Sequence, residues 1–125
     1  MAIKVLLADD SEVVRRAISR LLEQDPEIEL VGEAVDFTQT IQMTNELKPE
    51  IVILDLHMRD EGELAPGDIR DRLHHSPSRI LAISIWNDAE SKALAESFGA
   101  FTLLDKMDLV TDLIPVIKQS TAISN

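Results

Sequence analysis

The chain has 125 residues, 45% of them hydrophobic, which suits one folded domain with a single core rather than a disordered chain. Its 23 acids outweigh 12 lysines and arginines, a net charge of −11, so direct contact with nucleic-acid phosphates or docking on an anionic membrane is not expected. No cysteine is present, which removes disulfides and thiolate chemistry. Met1-Ala2-Ile3-Lys4 leads directly into a strand, and no run nears the roughly 20 apolar residues that span a bilayer. The expectation is a soluble cytoplasmic protein without a secretory leader.

Strand and helix patterns alternate along the chain. Ile3 to Ala8 reads as a buried strand. Ser11 can cap a helix from about Glu12 to Gln24, with Val14, Ile18, Leu21 and Leu22 at helical spacing, and Asp25-Pro26 stops it. Ile28 to Ala34 alternates as a strand with one less-covered face. A helix over Phe37 to Leu47 has Phe37, Ile41, Thr44 and Leu47 as its inner stripe and ends at Lys48-Pro49. Ile51 to Leu54 is apolar throughout, as a central strand is. An acidic loop from Leu56 to Pro66 precedes a short helix, Asp68 to His75, broken by Ser76-Pro77. Arg79 to Ile85 is the fourth strand. Asn87 or Asp88 can cap a helix to Phe98, which Gly99 terminates. Phe101 to Leu104 is a fifth strand, and Asp108 can cap a last helix through about Thr121. Pro115 inside it calls for a kink or a late start.

Five strand–helix pairs predict a doubly wound α/β domain, a five-stranded parallel sheet with helices on both faces. One domain over residues 1–125 is expected. The tail from 119 to 125 reads either as the start of a linker to an absent output domain or as a frayed end.

In this arrangement Asp9, Asp10 and Asp55 stand at the carboxyl ends of strands, the edge where open parallel sheets bind ligands. Three acids at one edge repel unless a cation joins them, which predicts a hard divalent ion held by oxygens, Mg²⁺. Ser84 and Lys106 follow the fourth and fifth strands to the same edge. The set has uses in phosphoryl transfer. A carboxylate can be the nucleophile, a metal can neutralise the transferring group, and a lysine and a hydroxyl can hold its oxygens.

Asp9-Asp10, Asp55, Ser84 and Lys106, in that order and at those strand ends, resemble the receiver domain of two-component response regulators. Leu6-Leu7-Ala8-Asp9-Asp10-Ser11 and Gly99-Ala100 before Lys106 resemble it too, and the likeness runs from about Ile3 to Gln119. It implies the flavodoxin-like (βα)5 fold. It also implies Asp55 as phosphoacceptor, with Mg²⁺ on Asp10, on Asp9 mainly through water, on Asp55 and on the His57 backbone carbonyl. Ser84 would move toward the phosphoryl group, and Lys106 would bridge phosphoryl and carboxylate. The implied donor is a sensor histidine kinase or a phosphotransfer protein. The implied output is transcriptional regulation, read from a surface over about Trp86 to Lys118, with a helix-turn-helix DNA-binding domain outside the chain or a homodimer as the reader. No enzyme activity is implied beyond the domain's own phosphorylation and dephosphorylation.

The chain also departs from that pattern. Arg59 stands where a proline usually follows the methionine, and Met107 stands where a proline usually follows the lysine. Asp105-Lys106-Met107-Asp108 is closer to receivers of the nitrate-regulator type. Leu103 replaces the usual aromatic switch, which leaves a constitutive interaction or dimerisation module as an alternative. A small hydrolase on the same metal site ranks last, because a chain this short has no cap to exclude water. His57, His74 and His75 lack the spacing of a zinc site, and Asp60-Glu61-Gly62-Glu63 lacks that of a calcium loop.

Overall fold

The computed structural model describes residues 2–73, 77–86 and 88–123. The expectations placed on His74-His75, on Ser76, on Asn87 as a cap and on Ser124-Asn125 lie outside the described residues. The elements run β1 (Ile3–Ala8), α1 (Glu12–Glu23), β2 (Ile28–Ala34), α2 (Phe37–Leu47), β3 (Ile51–Asp55), α3 (Pro66–Leu73), β4 (Arg79–Ser84), α4 (Ala89–Ser97), β5 (Ala100–Asp105), a 3₁₀ turn (Lys106–Asp108) and α5 (Leu109–Ile123).

All pairings are parallel, in the order β2-β1-β3-β4-β5. The doubly wound five-stranded sheet is therefore as expected. Because the chain turns outward in opposite directions from β1 and β3, the carboxyl ends of those two strands form the topological switch point, where such sheets open a crevice.

Period-two alternation divides the central strands between two cores. Leu6, Ala8, Val52, Leu54, Ile80 and Ala82 face α2, α3 and α4, where Phe37, Ile41, Ile69 and Phe98 meet them. Val5, Leu7, Ile51, Ile53, Leu81 and Ile83 face α1 and α5, meeting Ile18, Leu22, Leu113 and Ile117. Each such large aliphatic side chain contributes about 1.5–3 kcal/mol by leaving water. The middle of the sheet thereby becomes a rigid base for whatever its rim carries.

Several expected bounds shift for local reasons. α3 begins at Pro66 rather than Asp68, because proline's fixed φ and missing N–H suit the first helical turn. Leu47, expected in the inner stripe of α2, is 39% exposed, and Thr40 is buried there instead. Helical geometry turns the last residue of that stripe past the core, and Lys48 then closes the helix in the left-handed region at φ 49. A 3₁₀ turn stands between β5 and α5, capped by Asp105, which accepts the Met107 amide at 2.8 Å, and Asp108 ends that turn just before Leu109. α5 takes in Pro115 and continues to Ile123, so residues 119–123 are helical.

Candidate functional site

Each strand end that carries a functional group is fastened by its own sequence. At the end of β1 the Asp9 amide donates to the Ala34 carbonyl at 3.0 Å, holding Asp9 in line with the strand. The Asp9 carboxylate accepts the Ser11 amide at 2.9 Å through Oδ1, and Ser11 Oγ accepts the Val14 amide at 3.3 Å as the N-cap of α1. Arg15 Nη1 donates to the Asp9 carbonyl at 2.7 Å. Asp10 is held between these fixed neighbours and is only partly buried.

At the end of β3 the Asp55 side chain accepts the His57 amide at 3.1 Å through Oδ1. Its other oxygen, Oδ2, lies 3.5 Å from Lys106 Nζ, which also lies 2.8 Å from Asp9 Oδ2. Asp9 is fully buried, and among the described residues its Oδ2 accepts no aligned hydrogen bond, so the lysine meets it as a charge. One ligand oxygen from each of Asp9, Asp10 and Asp55 lies within 4.8 Å of the others.

The electrostatics follow from this crowding. Burial, together with the negative charge of Asp9, pushes the Asp55 carboxyl up to about 6, against the pull of the Lys106 ammonium and the His57 amide. Burial alone would depress Lys106, but the Asp9 and Asp55 carboxylates outweigh it and hold the ammonium above the ordinary lysine range. One lysine therefore faces three carboxylates, and negative charge remains in excess. The donor set is oxygen only, includes the fully buried Asp9 carboxylate, and is closely spaced. It fits a hard divalent cation and suits neither zinc nor copper.

A model of the response regulator receiver domain family matches residues 5–118. The chain belongs to this family. Among curated relatives, the protein-glutamate methylesterase/protein-glutamine glutaminase of Shewanella frigidimarina is 33% identical over 108 residues, covering 85% of this chain and 27% of that protein. The transcriptional regulatory protein LiaR of Bacillus subtilis is 32% identical over 120 residues, covering 95% of this chain and 56% of that one. The chain thus spans about a quarter to just over half the length of these relatives. Among solved structures, the response regulator domain of Thermotoga maritima CheB superposes with a TM-score of 0.81 at 22% identity, covering 95% of this chain and 96% of that one. A LuxR-family response regulator from Aurantimonas gives 0.84 at 24% identity, covering 98% and 86%. Both share the fold.

This receiver brings Asp9, Asp10, Asp55 and Lys106 into one cluster, as the sequence pattern requires. Ser84 stands at the end of the neighbouring strand β4, one residue past Ile83, the register partner of Asp55. Its buried hydroxyl accepts the Trp86 amide at 3.1 Å and keeps its own proton to donate. His57 Nδ1 lies 3.0 Å from Glu61 Oε1, and the His57 ring meets Trp86 edge-on with centroids 5.3 Å apart. Beside them a groove of about 680 Å³ opens between this loop and the start of α4.

Asp60 is the residue that sequence reasoning passed over. It is a buried carboxylate in the β3–α3 loop, bonded to the start of α2. No local pattern announces such a contact, because its partners lie 22 and 23 residues away.

No helix among the described residues is long and apolar enough to cross a membrane. Receivers are signalling switches, and the enzyme activity in the names of the methylesterase relatives belongs to proteins three to four times the length of this match.

Proposed function

We propose that this receiver takes a phosphoryl group onto Asp55 and thereby controls a partner or output domain. The observation that carries the reading is the convergence of Lys106 Nζ with Asp9 and Asp55 at 2.8 and 3.5 Å, beside Asp10, on the switch-point rim. An Asp55 carboxylate oxygen attacks phosphorus, the donor's P–N bond breaks, and the departing imidazole keeps the electron pair and takes a proton. Lys106 offers a positive charge to a phosphoryl oxygen. Ser84 offers the proton that its bond to Trp86 leaves free. Mg²⁺ held by Asp9, Asp10, Asp55 and the His57 carbonyl would neutralise charge on the transferring group. Water later cleaves the acyl phosphate and restores the carboxylate.

The donor is a phosphohistidine protein of the sensor kinase or phosphotransfer class. Its approach is favoured by the exposed apolar side chains Val13 and Val110, which line a shallow cleft next to Lys106. The reader of the signal is a domain or partner outside this chain, engaged from the side of α4, β5 and α5. Regulation of transcription is the output that the LiaR relative's name favours. A static interaction module is the second reading, and the half-buried aliphatic Leu103 on β5 favours it because no aromatic ring is there to rotate.

Incubation of the protein with Mg²⁺ and a small phosphodonor should add one phosphoryl mass, and Asp55→Ala should remove that gain completely. Persistence of the added mass in Asp55→Ala would defeat the assignment. Equal partner binding with and without a beryllofluoride mimic would favour the static module.

A further inference from the structure

The loop from Leu56 to Ala65 joins β3 to α3. It contains no proline and passes through Gly62 at φ 91. Leu56 and Met58 drop into the core and Leu64 packs against it, while the turn between them is closed by short internal contacts, Glu61 N to Met58 O, Glu63 N to Asp60 O and His57 Nδ1 to Glu61 Oε1. The His57 amide is held by Asp55 Oδ1 at 3.1 Å, but its carbonyl side leads into this turn, whose position depends on what anchors it from outside. Asp60 supplies a tie to a helix outside the loop. It is 7% exposed, and its carboxylate points across to the first turn of α2.

The first four amides of α2 can be accounted for one by one. The Gln39 amide donates to Asp36 Oδ1 at 2.7 Å, and the Thr40 amide donates to the Asp36 carbonyl at 3.0 Å. The two that remain go to Asp60. The Phe37 amide reaches Oδ1 at 2.8 Å, the Thr38 amide reaches Oδ2 at 3.1 Å, and Thr38 Oγ1 adds a third bond at 3.0 Å. Asp36 already serves as the local cap, as most helices require. A second carboxylate, arriving from another loop and gripping two amides and a hydroxyl, fastens that loop as firmly as it finishes the helix. The positive end of the helix dipole and three donors keep Asp60 ionised despite its burial.

We propose that Asp60 is a positioning residue: it clamps the β3–α3 loop to the amino end of α2 and so fixes the His57 backbone at the acidic rim. The inference rests on the proposed role of His57 as a carbonyl ligand. It adds that part of the ligand's rigidity comes from the amino end of α2. Residues that orient a metal ligand without touching the metal commonly govern affinity by about 10–100-fold.

The test compares two variants that both weaken the start of α2. Asp36→Ala removes the local cap, and Asp60→Ala removes the clamp. Both should lower Tm. Titration calorimetry with Mg²⁺ alone on the full chain should give a Kd about tenfold weaker in Asp60→Ala and unchanged in Asp36→Ala. Asp60→Asn, which keeps one acceptor, should fall between wild type and Asp60→Ala and serves where the alanine variant fails to fold. An unchanged Kd in both Asp60 variants would overturn the clamp, as would an equal loss in Asp36→Ala. If wild type itself binds no Mg²⁺ and takes no phosphoryl group, the proposed function fails instead, and the two failures are told apart by that first measurement.

Discussion

Two junctions feed the acidic rim, and they are built in opposite ways. The β1–α1 junction is three residues, Asp9-Asp10-Ser11, and its fixing bonds are nearly all local: Ser11 to Asp9, Val14 to Ser11, Arg15 to Asp9. The β3–α3 junction is the stretch 56–65, and besides its buried side chains and short internal bonds it is held by Asp60 gripping a helix 22 residues earlier in the chain. A short turn can be made rigid by its own side chains. A longer one needs a partner across space, because each added residue brings conformational freedom that local bonds do not remove. The rim thus combines a site half written in adjacent letters with a half that exists only once the sheet has folded.

The largest effect expected beyond Asp55 itself lies in the short junction. Asp10→Asn should weaken Mg²⁺ binding by at least about tenfold in calorimetry, since it removes one of three charges from a carboxylate cluster while leaving the turn's hydrogen bonds untouched.

Next comes pH. The Asp55 carboxyl sits near 6 when folded, against an ordinary 3.8, so its contribution to stability is fully present below 3.8 and is lost as pH rises through 6. Without Mg²⁺, Tm should therefore fall between pH 5 and pH 7.5. Added Mg²⁺ should recover more of it at pH 7.5 than at pH 5, and Asp55→Asn should flatten the fall. The carboxyls held low elsewhere, Asp25, Asp60 and Asp88, lose their contributions only in more acid solution, outside that window. A Tm that is flat with pH in wild type would count against the crowding at the rim.

A smaller effect is expected from Ser11→Ala, which removes the cap of α1 and should cost about 1 kcal/mol in denaturant unfolding. Mg²⁺ affinity should change little, because the Ser11 amide still binds Asp9. The smallest is Trp86→Ala. The indole stands edge-on to His57 at the mouth of the rim, and its loss should speed hydrolysis of the phosphorylated protein by a few-fold in a phosphate-release assay. An unchanged rate would show that it does not shield the bond.

Much of this was legible before folding, for a physical reason. Central parallel strands must be apolar on both faces, so β1, β3 and β4 stand out as runs, and the acids that end them are marked by contrast. Asp9, Asp10, Asp55 and Lys106 could therefore be placed together from their positions at strand ends. Leu47 was misassigned because a hydrophobic stripe says nothing about where the helix leaves the core. The start of α3 moved to Pro66, where a proline suits the first turn, and a 3₁₀ turn capped by Asp105 came in ahead of α5, since element ends are set by local geometry that apolar periodicity does not carry. Asp60 was illegible for a deeper reason. Among four acidic or small residues in a row, nothing distinguishes the one that turns inward, and only the nearness of α2 selects it.

Trp86 is the only indole in the chain, 54% exposed, and its amide hangs from the hydroxyl of Ser84. Any pull on that oxygen from the rim must tug the backbone that carries the fluorophore, changing how much water wets it. The molecule consequently carries an unlabelled optical gauge one hydrogen bond away from its own chemistry. Its emission colour should follow occupancy of the aspartate in real time.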